Sequence, residues 1–114
     1  MARLVLSDGA DEKSSYTIVA TITDEDDAAL TPSSITWSLR DRWGNTINAR
    51  SAVSIASPAS ANNITLSDDD LALDVVSDPK RILTLEAVYN SSYGSGLPLK
   101  AEVEFQVSDL IGIT

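Results

Sequence analysis

Apolar residues recur at every second position in short runs rich in Val, Ile, Leu and Thr, and clusters of Asp, Ser, Asn, Gly and Pro separate the runs. A period of two is how a half-buried antiparallel strand reads, with one face to the core and the other to water. Leu4 and Leu6 open the first predicted strand, which breaks at the acidic turn SDGADEK, 7–13. In the second, Tyr16, Ile18, Ala20 and Ile22 share the face predicted to point inward. The charged turn DEDDAALTP, 24–32, leads into a third run in which Ile35, Trp37 and Leu39 alternate with polar residues. DRWGN, 41–45, then reads as a hairpin, because Gly44 and Asn45 tolerate positive φ, and Trp43 falls at its tip.

Beyond the hairpin the alternating pairs are Val53 with Ile55 and Ile64 with Leu66, broken at Pro58. SDDDLALDVV, 67–76, departs from the pattern. Ser67 can cap a following turn and Asp68 to Asp70 suit the positive end of its dipole, which predicts one or two helical turns. Leu83, Leu85, Ala87 and Tyr89 face one way in the next strand. SSYGSGLPL, 91–99, with two glycines and a proline, reads as a flexible connection. The last strand sets Val103, Phe105 and Val107 against Glu102, Glu104 and Gln106, and the apolar tail at 109–114 either completes an edge or docks on a neighbour. About seven short strands with one short helical turn, and no βαβ alternation, predict an all-β two-sheet sandwich forming a single domain over 1–114.

Composition narrows the chemistry. Neither Cys nor His occurs among the 114 residues, which removes disulfides, thiolate metal sites and the commonest general base and zinc ligand. Eight basic residues against 17 acidic ones give a net charge of −9, a field that repels phosphate backbones and anionic lipid headgroups. Nucleic acid and membrane are therefore not expected partners. The N-terminal apolar run is too short for a signal peptide, and the chain reads as unexported by the general route.

The acidic clusters are the first candidate site. Asp24, Asp26 and Asp27, or Asp68 and Asp70 with Asp74, could supply oxygen ligands to calcium between strands. None matches the spacing of a calcium loop, and consecutive aspartates are also what a solvated turn or a helix start looks like. No acid stands in the apolar setting that raises a catalytic pKa, and no serine has a suitable base, so the chain is expected to be non-enzymatic and free of cofactors. Arg40, Arg42 and Arg50 cluster around Trp43, and Arg and Trp are the residues that most often carry interface energy. The cluster reads either as a protein contact, with Tyr93 a further exposed aromatic, or as arginines paired with nearby aspartates such as Asp41. Trp37, in phase with Ile35 and Leu39, is the predicted core anchor.

The strings LTPSSITWSLRDRWGNTIN, VSIASPASANNITLSDDDLAL and RILTLEAVYNSSYGSGLPLKAEVEFQV together resemble a family of small immunoglobulin-like β-sandwich proteins. These are encoded among the structural genes of tailed bacteriophages and prophages. The resemblance covers most of the chain from about Thr17 onward, rests on strand and turn features, and carries over no catalytic or ligand-binding residue. It implies an immunoglobulin-like sandwich with an accessory role in the virion, assembled in the bacterial cytoplasm: capsid decoration, head-tail joining or tail ornament. The partners it implies are other virion proteins or copies of the chain itself, in a homo-oligomer within an assembly. The alternative is a bacterial surface or secreted immunoglobulin-like module that binds carbohydrate or a host protein. Trp43, Tyr93 and the acidic loops would then be its sugar-stacking and calcium-binding residues.

Overall fold

The computed structural model describes residues 2–6, 10–11, 13–72 and 79–108. They form nine elements, eight strands and one 3-10 turn: β1 (Ala2–Leu6), β2 (Ala10–Asp11), β3 (Ser15–Ile22), β4 (Ser34–Arg40), β5 (Val53–Ser54), β6 (Ala61–Ser67), the turn at Asp68–Leu71, β7 (Lys80–Ser91) and β8 (Gly94–Ser108). Two sheets result, one ordered β1-β3-β6 and the other β2-β8-β7-β4-β5. The chain is thus mostly β and arranged as an all-β sandwich. Two of the strands span only two residues, so the expected seven strands become eight.

Alternation builds the core. Tyr16, Ile18, Ala20 and Ile22 of β3 and Ile64 and Leu66 of β6 meet Ile35, Trp37 and Leu39 of β4, Leu83, Leu85 and Ala87 of β7, and Leu99, Phe105 and Val107 of β8. Every one of these side chains is buried, and Tyr16 crosses between the sheets to pack its ring 5.1 Å from that of Phe105. Leu4, Ile47, Val53, Ile55 and Tyr89 pack on the rim of this cluster. Among the described residues no helix is long and apolar enough to cross a membrane.

Two expectations fail in instructive ways. The segment 91–99 is not a flexible connection: Ser91 pairs with Gly94 across a turn of Ser92 and Tyr93, and Leu97, Pro98 and Leu99 continue β8 opposite Tyr89, Val88 and Ala87. Proline cannot donate to the ladder, so Pro98 fits there only because β8 is an outer strand over this stretch, β2 covering it only at Val107 and Ser108. The hairpin read at DRWGN does not lead straight into a return strand either: only an isolated bridge joins Arg40 to Thr46 before β5 pairs with β4. Asn48, Ala49 and Ala52 adopt positive φ there, which curls the chain back over the end of the sandwich. The expected helical turn is present as a single 3-10 turn of four residues, and the rest of that segment, with Asp74, lies outside the described residues, as does the 109–114 tail.

The pairing between β4 and β7 fixes the long axis. Arg40 lies opposite Ile82 and Ser34 opposite Val88, so the 41–52 loop and the β7–β8 tip are at opposite ends of the same sheet. The molecule measures 53 × 24 × 21 Å.

Candidate functional site

At one end, the chemistry starts with Asp41. The backbone N–H groups of Trp43 and Asn45 each donate to its Oδ1 at 2.9 Å, and Asn45 Nδ2 donates to its Oδ2 at 3.2 Å. These bonds, that of the Asn45 N–H foremost, hold the Asp41 carboxyl below the usual carboxylate range. Gly44 closes the turn at φ +87 and donates its N–H back to the Asp41 carbonyl. The carboxylate therefore organises the loop backbone. Trp43 is left 66% exposed on this fixed turn, with the Arg42 guanidinium 5.7 Å from its ring centroid.

Arg50 belongs to the same end but plays another part. Its Nε donates to Asp70 Oδ1 at 2.8 Å, and its guanidinium lies 5.9 Å from the Trp37 ring centroid. Asp70 also accepts from Asn48 Nδ2 at 3.0 Å and from the Ser67 backbone N–H at 3.1 Å. Burial alone would raise the Asp70 carboxyl, but the bonds from Arg50, Asn48 and Ser67, with the charge of Arg50, outweigh it and lower the pKa. Of the two alternatives for the arginines, Arg50 thus realises the ion pair, with Asp70 in place of Asp41. Its side chain remains 39% exposed whereas that of Asp70 is 1% exposed, so the pair closes the end of the core and still shows one edge to water.

Arg81 was not singled out by sequence reasoning. It is buried, and it donates from Nη2 to the Ala72 carbonyl at 2.9 Å and from Nη1 to the Lys80 carbonyl at 3.1 Å. The signal was available: Arg81 is in phase with Leu83, Leu85 and Ala87, which face inward.

The other end is acidic. Asp24 Oδ1 accepts the backbone N–H groups of Asp26 (2.8 Å) and Ala28 (3.0 Å), while a bridge between Thr23 and Ala29 closes the turn. Glu25 reaches across to β7, its Oε1 accepting from Tyr89 Oη at 2.9 Å and Ser91 Oγ at 3.2 Å. A bond from its own backbone N–H leads the causes that lower the Glu25 pKa, and Tyr89 is raised in return. Ser91 Oγ in turn accepts the Tyr93 N–H at 3.1 Å, which fixes the tip where Tyr93 stands 72% exposed.

The expected contact residues are thus divided. Arg40, Arg42, Trp43 and the outer edge of Arg50 share one end, and Tyr93 lies at the other, separated by roughly 30 Å of β7 at about 3.3 Å per residue. The aspartates that could have held calcium do not converge among the described residues. Asp24 is committed to its own turn and Asp70 to Arg50, and among the described residues no three acidic side chains converge on a point. No protein-family model, no curated protein and no solved structure matches the chain.

Proposed function

We propose that the chain is an immunoglobulin-like, non-enzymatic structural module of a tailed-phage or prophage particle, working through contacts with neighbouring proteins. The observation that carries this reading is the pair of fixed, exposed aromatic tips, Trp43 and Tyr93, at opposite ends of an elongated sandwich. An aromatic held on a hydrogen-bonded turn loses little entropy on docking, and Trp beside Arg is the composition of an interface hot spot. Two such points at opposite ends of one sheet suit a part that bridges neighbours more than one that encloses a small substrate.

Strand order supports the immunoglobulin-like assignment. In immunoglobulin lettering, β1, β3 and β6 take the places of A, B and E. The second sheet follows as A′ (β2), G (β8), F (β7), C (β4) and C′ (β5). β2 runs parallel to β8 while every other pairing is antiparallel, as a first strand that switches sheets requires. Trp37 occupies the buried aromatic position on the C-like strand, and with no cysteine present no disulfide joins the two sheets.

Purified particles from the organism that encodes the chain provide the test. The protein is expected in them by immunogold labelling, and added wild-type protein is expected to co-sediment with particles that lack it. Trp43→Ala should leave the urea midpoint nearly unchanged, within about 0.5 kcal/mol, yet weaken this co-sedimentation by a hot-spot amount, about 2 kcal/mol or more. Saturable binding to a glycan array that is lost in Tyr93→Ala, without particle association, would support the surface-module alternative and overturn the proposal.

A further inference from the structure

The open edges of the two sheets are protected unequally. β5 offers only two residues, β1 carries Arg3, and the open stretch of β8 carries Pro98, Lys100, Glu102 and Glu104. Short length, charge and proline are the devices that stop a sheet edge from pairing with another chain. β6 has none of them. Its seven residues, ANNITLS, pair with β3 on one side, and among the described residues no strand pairs with the other.

The face beside this edge is also unusual for so acidic a protein. Arg3 and Val5 of β1, Thr17, Val19 and Thr21 of β3, and Asn63 and Thr65 of β6 alternate with the buried residues and form the outer surface of the three-stranded sheet. One positive charge stands there, on a chain of net charge −9. The outer face of the five-stranded sheet is more heavily charged, with Glu86, Glu102 and Glu104 beside Lys80, Lys100 and Arg40. A second copy carries the same net charge of −9, and the β6 edge, uncharged over Ala61–Ser67, is an approach that sets no carboxylate of one strand opposite a carboxylate of the other.

We infer that the β6 edge is a self-association site, where a second copy of this chain adds its own β6 in antiparallel register across a two-fold axis. Full overlap of Ala61–Ser67 places the axis at Ile64, joining two three-stranded sheets into one of six strands. Asn63 then lies opposite Thr65 of the second copy, and Thr65 opposite Asn63, an uncharged self-complementary pair on the exposed face. The interface is small, so association falls in the micromolar range or weaker, and added salt strengthens it by screening the repulsion between two acidic bodies. It holds whether or not the chain belongs to a phage particle.

Sedimentation velocity over a concentration series tests it. The wild-type chain is expected to form a dimer that strengthens from low to high salt. Asn63→Lys with Thr65→Lys sets lysine against lysine twice across the axis and should raise the dissociation constant by about tenfold or more. Asn63→Lys with Thr65→Glu makes the same pairs attractive and should restore or tighten the dimer. Both variants alter exposed positions, and matched melting temperatures confirm that they fold. A wild-type chain that stays monomeric into the millimolar range at high salt overturns the proposal. So does a dimer that responds equally to the two double variants.

Discussion

Trp37→Ala is expected to lower unfolding free energy by about 3–5 kcal/mol, read as a shift of the urea midpoint at unchanged slope. The indole is 7% exposed and sits on β4 between Val53 and Leu85, so truncation opens a hole that a sheet tied on both sides cannot close. The Arg50 guanidinium also loses the ring it packs over. A domain of this size has about 5–15 kcal/mol in hand, so the variant should be partly unfolded near body temperature. The contrast with Trp43 makes the test sharp, because the same chemical change at an exposed tip should cost almost nothing. A loss below about 1 kcal/mol at Trp37 would mean that the indole is not part of the core.

Asp70→Ala is expected to cost about 2–3 kcal/mol at neutral pH, less than the 3–5 of a fully buried pair because water can reach the freed Arg50. The deletion strands Asn48 Nδ2 and the Ser67 N–H as well as the guanidinium. It also predicts a pH dependence with a definite sign. The folded carboxyl has a lowered pKa, so its stabilisation is fully present above the unfolded value of about 3.9 and disappears as pH falls through the lower folded value. The gap between wild type and variant should therefore be constant above about pH 5 and shrink in acid. Glu25 and Asp41 are lowered too, but they titrate in both proteins and cancel in the difference. Denaturation curves that stay equally far apart from neutral to strongly acidic pH would refute the assignment of Asp70 as a stabilising carboxylate.

How much of this was legible in the sequence depends on how far apart the partners lie. Strand faces were readable because alternation is a local signal: each of Ile18, Leu39, Leu85 and Phe105 declares its side by its neighbours. Arg50 and Asp70 were both visible as charged residues, yet nothing in a single chain marks a carboxylate 20 residues away as the partner of a given arginine. Glu25 and Tyr89 are farther apart still, at 64 residues. The β7–β8 tip was misjudged for a different reason. Gly, Ser and Pro at 91–99 are loop formers on average, and only the knowledge that β8 is an outer strand makes Pro98 compatible with a ladder. The division of Trp43 from Tyr93 likewise follows from register, which no composition argument supplies.

The long β7–β8 hairpin also bears on the order in which the chain folds. Its two strands are joined through Ser92 and Tyr93 alone, so closing it costs little chain entropy and each added rung lies next to one already formed. The pairings β3–β6 and β4–β7 must instead capture segments some 40 to 50 residues apart, and β2 waits for a partner at the far end of the chain. Loop closure thus favours a sequence in which the hairpin forms early and offers β4 a template. The three-stranded sheet then closes over it, and β2 locks last, joining the first strands of the chain to the final one.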